Sequence, residues 1–140
     1  MGLFGKDLRD QYVGNWDTTR KGSILLLYYD TPMICKKYPV DESGKSVISK
    51  SGKKGLLIKF YNEDISEEKF FTLNENVLSA EPDNHFIEDY ELQTHFTTYY
   101  SGQVSEKLIT MTMIIEGVWK NHLTGESGKA KGGTRVVLEK

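Results

Sequence analysis

Apolar and polar residues alternate with a period of two along most of the chain. No run of ten or more residues spaces its apolar positions three and four apart, as an amphipathic helix requires. The clearest alternation covers residues 107–119. Ile109, Met111, Met113, Ile115 and Trp119 fall on one face, and Leu108, Thr110, Thr112, Ile114, Glu116 and Val118 on the other. The Met-bearing face is therefore expected to point at the core. Residues 11–20 are rich in β-formers around Trp16, Thr18 and Thr19, and residues 23–29 are almost wholly apolar and aromatic. Residues 33–38 predict a short strand ended by Pro39, which has no N–H for a central ladder. Residues 41–55 are dense in Gly, Ser and Lys, with only Val47 and Ile48 to bury, and read as hairpin turns flanking one short exposed strand.

Residues 56–61 alternate Leu56, Ile58 and Phe60 with Leu57, Lys59 and Tyr61. Residues 69–73 and 77–80 predict a hairpin across Asn74, Glu75 and Asn76. After Pro82, Asp83 and Asn84, strands are expected over 86–92 and 94–100, with a turn at Ser101 and Gly102. A Gly-rich turn over 125–133 precedes a last strand over 134–139. One helical turn, residues 6–11, is the only helix predicted. About eight to ten short strands without crossover helices are the signature of an all-β sandwich or a small antiparallel up-and-down β-barrel. A single domain is expected, since a chain of about 150 residues buries roughly 70% of its unfolded surface.

Composition narrows the classes. The only cysteine, Cys35, can form no internal disulfide, which is compatible with a reducing compartment. The first twelve residues are charged throughout and lack the apolar run of a secretory signal, and Lys6 stands where an N-myristoylation motif needs Ser or Thr. The longest uncharged apolar stretch, residues 24–29, is far below the ~20 residues of a membrane helix. A cytoplasmic protein without membrane association is expected. The formal net charge of −2 offers no basic field for nucleic acid. The charges are segregated all the same: residues 62–91 contain Lys69 as their one base among many Asp and Glu, whereas Lys36, Lys37, Lys45, Lys50, Lys53 and Lys54 cluster before them. These read as solvated faces and loops.

The segment Tyr12-Val13-Gly14-Asn15-Trp16 resembles the G-x-W signature that opens the first strand in lipocalins, fatty-acid-binding proteins and avidins, together the calycin superfamily. The resemblance implies a barrel whose bottom is plugged by a helical turn, here residues 8–11. It also implies that Trp16 packs just inside, with Arg135 from the last strand against its indole. A guanidinium so placed gains on the order of 1 kcal/mol and ties first strand to last. The ending Thr134-Arg135-Val136-Val137-Leu138-Glu139-Lys140 is similar to the terminal T-R-x-Y-E-K of fatty-acid-binding proteins. It has one residue inserted and lacks the tyrosine, so a carboxylate-binding role for Arg135 is not supported. The helix pair of those proteins is absent as well, and the direct hairpin after the first strand is more similar to lipocalins or avidins. Glu88-Asp89-Tyr90 matches two positions of the lipocalin T-D-Y motif.

Catalytic and metal chemistry finds little footing. His85, His95 and His122 have no ligand partner two or four residues away, so no metal site and no cofactor are predicted. Cys35 sits in a strand-like run with no tight turn to expose it and reads as a small core residue. Gly44-Lys45-Ser46 and Gly128-Lys129-Ala130 each lack an element of the phosphate loop and read as turns. Glu88, Asp89 and Glu91 follow a surface pattern. An enzyme would need polar groups converging inside, such as His95 with Glu116 or Asp89. What remains is the lining of the barrel, drawn from Tyr28, Phe60, Phe71, Phe96, Tyr99, Met111, Met113 and Trp119, which serves equally as core or as pocket wall. Soft Met and amphipathic Tyr suit an adaptable pocket. The expected function is binding of a small, mainly apolar ligand by Phe96, Tyr99, Met111, Met113 and Trp119, with Trp16 and Arg135 closing the barrel and no catalysis. The alternative is a filled barrel acting as a protein-interaction module that engages a partner or a second copy of the chain, a homo-oligomer.

Overall fold

The computed structural model describes residues 7–31 and 33–140. A 3-10 turn over Leu8–Tyr12 leads into β1 (Gly14–Tyr28), β2 (Ile34–Ser51), β3 (Gly55–Tyr61), β4 (Ser66–Asn74), β5 (Val77–Ser79), β6 (Asp83–Glu88), β7 (Leu92–Ser105), β8 (Leu108–Asn121) and β9 (Ser127–Glu139). Neighbours pair antiparallel in the order β5-β4-β3-β2-β1-β9-β8-β7-β6, and a β5–β7 ladder closes the ring. The barrel proper is therefore eight-stranded, with β6 lying outside the ring on the edge of β7. No helix among the described residues is long and apolar enough to cross a membrane.

Fewer, longer strands replace several of the predicted pairs. Residues 11–20 and 23–29 merge into β1, whose even-numbered positions Trp16, Thr18, Arg20, Ile24 and Leu26 face inward. Pro39 does not end a strand but lies within β2. β3 pairs with β2 only over residues 45–51, so at Pro39 one edge of β2 has no neighbour and the missing N–H disrupts no second ladder. The polar segment 41–51 stays extended because β1 pairs with it as far as Ile48 and β3 from Lys45 onward, so every residue has at least one neighbouring strand. Ser101 and Gly102 continue β7, and Gly102 serves the ring closure opposite Leu78. In the Gly-rich tail the turn is confined to its start, where Gly125 has φ 78°. From Ser127 onward it is strand, and its glycines serve close approach. A Cβ on Gly132 would stand 2.1 Å from the Ser23 carbonyl oxygen, so only glycine lets β9 bend against β1 there.

The interior divides into two clusters. One gathers Tyr12, Trp16, Ile48, Leu56, Ile58, Phe71, Leu78, Val104, Ile109, Met111, Val136 and Leu138 at the end nearest the 3-10 turn. The other packs Leu26, Leu92, Trp119 and Ala130, flanked by Tyr28, Cys35 and Tyr38, at the far end. The predicted helical turn is present as a 3-10 turn, although Lys6 falls outside the described residues and Leu8 points to solvent; the buried residue of the turn is Tyr12, one position past the predicted plug. Arg9 pins the turn to the β2–β3 hairpin, donating from Nη1 to the carbonyls of Gly52 (3.0 Å) and Gly55 (2.9 Å).

Candidate functional site

Between the two clusters lies a cavity of about 390 Å³. Its walls follow from the inward phase of each strand: Ile24 on β1, Phe60 on β3, Phe71 on β4, Phe96 on β7, Met111 and Met113 on β8, and Val136 on β9. Small hydroxyls interrupt the apolar surface, and those of Thr18 and Ser46 bond each other at 2.7 Å deep in the wall. The barrel is incomplete beside this cavity. β3 and β4 stop short of residues 34–44 of β2, and among the described residues β4 and β6 share no ladder. Unpaired strand edges therefore frame it, with Val40 and Glu42 on β2, Glu67 and Lys69 on β4, and Asp83 and His85 on β6.

Charged side chains latch this frame. Lys69 Nζ donates to Asp83 Oδ1 and to the Glu81 carbonyl, both at 2.8 Å, and lies 4.7 Å from the centre of the Tyr100 ring. Tyr100 donates its hydroxyl to Asp83 Oδ2 at 2.7 Å. Burial pushes the Asp83 carboxyl up, but the Lys69 ammonium and the Tyr100 hydroxyl outweigh it and hold the group below the usual carboxylate range. Burial first, and then its bond to Asp83, pushes the Tyr100 hydroxyl well above an ordinary tyrosine. Across the cavity, Arg20 stacks its guanidinium on Phe60, 3.9 Å from Cζ to ring centre, and bonds Glu67 Oε2 through Nη1 at 3.1 Å. His85 stacks on Phe96 with ring centres 4.9 Å apart.

Of the predicted lining, Phe96, Met111 and Met113 border the cavity. Tyr99 does not: its side chain is on the outer face, 44% exposed, and Tyr100 takes the inward place. Phe96 and Tyr99 are three apart on one strand, and a period of two cannot put both inside. Trp119 shares the inward face of Met111 and Met113 but stands roughly 20 Å along the strand from Met113. There it plugs the far cluster, its Nε1 donating to the Leu27 carbonyl at 2.9 Å.

Trp16 is buried in the cluster beside the 3-10 turn and donates Nε1 to the Tyr12 carbonyl at 2.8 Å. Arg135 does not supply the cation. Thr134, Val136 and Leu138 point inward on β9, so Arg135 between them points out. Because Asp17 pairs with Glu139, it is Lys140 that comes abreast of Trp16. Its Nζ stands 5.4 Å from an indole ring centre and donates to the carbonyls of Gln11 and Val13, each at 3.0 Å.

Arg20, Glu42, Glu67, Lys69, Asp83 and Tyr100 were not among the predicted site residues. Counting by twos from Trp16 would have brought Arg20 inside, and counting back from Phe71 would have brought Lys69 and Glu67. His95 and Glu116 stand exposed on the outer face, where His95 packs against Phe86 with ring centres 4.5 Å apart.

No protein-family model matches the chain, and no curated protein matches it. Among solved structures the chain is similar to a protein of unknown function from the DUF3598 family of Nostoc punctiforme PCC 73102. The two share 13% identity with a TM-score of 0.40, over 94% of this chain and 48% of that one. The chain thus spans about half the length of the structure it matches.

Proposed function

We propose that the barrel interior binds a small, mainly apolar molecule. The observation that carries this reading is the cavity of about 390 Å³ between two Trp-centred plugs, walled by Ile24, Phe60, Phe96, Met111 and Met113. Ligand pockets are typically of this size and make-up, apolar with a few placed polar groups. The rival reading of a filled barrel acting only through its surface expects no such space. We read the barrel as calycin-like, on the plug turn, the G-x-W strand and the buried Trp16 under a cation, with Lys140 in the place the resemblance gave to Arg135. We assign the protein a binding role; of the pairs considered for an enzyme, His95 and Glu116 lie on the outer face and Asp89 is exposed just past the end of β6. The free Cys35 fits a cytoplasmic setting.

The test is titration of the folded protein with an environment-sensitive apolar dye, with fatty acids, retinoids and haem as competitors. Saturable one-to-one binding is expected, weakened by Phe96→Ala or Met111→Ala and insensitive to Tyr99→Ala. Absence of saturable binding by a demonstrably folded protein would overturn the reading.

A further inference from the structure

We infer that the apolar molecule held in the barrel carries a positively charged amine head, which the Glu42 carboxylate receives at the incomplete side of the wall; this rests on the reading of the cavity as a ligand site.

The charges that border the cavity do not cancel. Four carboxylates, those of Glu42, Glu67, Glu68 and Asp83, face two cations, Arg20 and Lys69. Both cations are engaged, Arg20 with Glu67 at 3.1 Å and Lys69 with Asp83 at 2.8 Å. Each is also the more buried member of its pair: Arg20 is 13% exposed against 55% for Glu67, and Lys69 24% against 38% for Asp83. The side of each pair open to an arriving molecule is therefore mainly its carboxylate. Three of the four acids come from the acid-rich stretch 62–91, which the fold brings to the same frame as Glu42.

Of the two remaining carboxylates, Glu68 is exposed and stands abreast of Lys59 on the neighbouring strand. Glu42 has no such counterpart. It is half-buried on the inward phase of β2, with Val40 and Ser46, and among the described residues no ion pair reaches it. On one side its neighbour is Arg20, whose single charge already serves Glu67; on the other, β3 has ended and offers no residue. The lysines of β2 do not make up the deficit. Lys37 and Lys45 fall on the opposite phase, and Lys36 is roughly 20 Å along the strand from Glu42, beyond the ~10 Å over which charges are felt at ordinary ionic strength. One guanidinium between two carboxylates leaves a negative charge over, against a low-dielectric apolar wall that strengthens its field.

That residue of charge selects the head group. An ammonium brings three donors and no acceptor, and its bond to a carboxylate is charge-assisted at both ends. A ligand carboxylate would add to the unmatched charge, and could pair with Arg20 or Lys69 only by displacing Glu67 or Asp83. An uncharged head would give up its hydration and leave Glu42 as it stands.

Three twelve-carbon compounds that differ only in the head separate the charge from the chain: dodecylamine, 1-dodecanol and dodecanoic acid, each competed against the apolar dye at neutral pH. The amine is expected to bind about tenfold tighter than the alcohol, the value of a bond between charged groups, and the acid more weakly than the alcohol. Glu42→Gln keeps the shape of the side chain and should cut the margin of amine over alcohol to about threefold or less, whereas Glu116→Gln on the outer face should preserve it. A measurement independent of these variants uses [1-13C]dodecylamine bound to the unaltered protein. At about pH 10 its C1 resonance should show a more fully protonated amine than the free compound, because a carboxylate holds the charge, where burial alone would lower its titration below the ordinary ammonium value of about 10.4. The inference is overturned if the alcohol or the acid binds as tightly as the amine, if the margin survives in Glu42→Gln, or if the bound amine is less protonated than the free one. Binding of the alcohol without preference for the amine sinks this inference alone; if neither the dye nor any of the three compounds binds saturably, the cavity reading falls and takes it along.

Discussion

The ring closes through a strand of three residues, and Leu78 is its only inward side chain, fully buried between Leu73 of β4 and Gly102 of β7. Replacing it with alanine removes three carbon groups from the core. At about 0.8 kcal/mol per group, the lost transfer free energy is roughly 2.4 kcal/mol. A cavity term is added, because a rigid seam collapses poorly, and the total falls at about 3–4 kcal/mol, within the range of buried Leu→Ala changes. Against a domain stability of about 5–15 kcal/mol this is a large loss, equivalent to a fall in melting temperature on the order of 10 °C. Urea unfolding followed by indole emission reads it directly. Val77 on the same strand is 46% exposed, so Val77→Ala is the control and should cost about 0.5 kcal/mol or less. Hydrogen exchange adds the mechanism: amides of residues 77–79 and 101–103 should lose protection before the rest of β7. A Leu78→Ala cost below about 1 kcal/mol, or one equal to that of Val77→Ala, would refute the claim that this short seam carries the closure.

Two further predictions concern the closing cation and the latch. Lys140→Met should cost about 1 kcal/mol and shift Trp16 emission, whereas Arg135→Met should stay within about 0.5 kcal/mol; the reverse ranking in urea unfolding would restore Arg135 as the closing residue. Asp83 is held ionised in the fold, so its contribution is complete above the ordinary carboxyl value of about 4 and is lost as pH falls through the lower folded value. Tyr100 is shifted up, so its contribution is complete below about 10 and is lost as pH rises toward the folded value. Thermal melts across pH should show both flanks. Asp83→Asn should flatten the acid flank and Tyr100→Phe the alkaline one, and a profile unchanged in both variants would contradict the latch.

The fold class was legible because strand alternation depends on local chemistry that each segment carries by itself. The inward face of β8, with Ile109, Met111, Met113, Ile115 and Trp119, is the face its alternation predicts. Strand lengths were not legible, because continuity through Pro39 or Gly132 depends on the neighbour. Pro39 is tolerated only where β3 has ended, and the Gly-rich tail is strand only because β1 lies against it. A proline or a glycine run in isolation looks like a breaker.

The site shows the same limit more sharply. Its apolar half could be read from phase, and the error at Tyr99 came from treating neighbouring aromatics as one wall where the pleat sends only Phe96 and Tyr100 inward. Its charged half was hidden by the sound expectation that Arg, Lys, Glu and Asp face water. Arg20 overrides that expectation because Phe60 lies under its guanidinium and Glu67, 47 positions away, answers its charge. Lys69 does so because Asp83 and Tyr100 meet it across an edge that lacks a ladder. An inward charge is stable only with its partner, and the partner belongs to another strand. Phase alone therefore nominates such a residue, and only the closed ring, with its missing wall between β4 and β6, shows why it stays there.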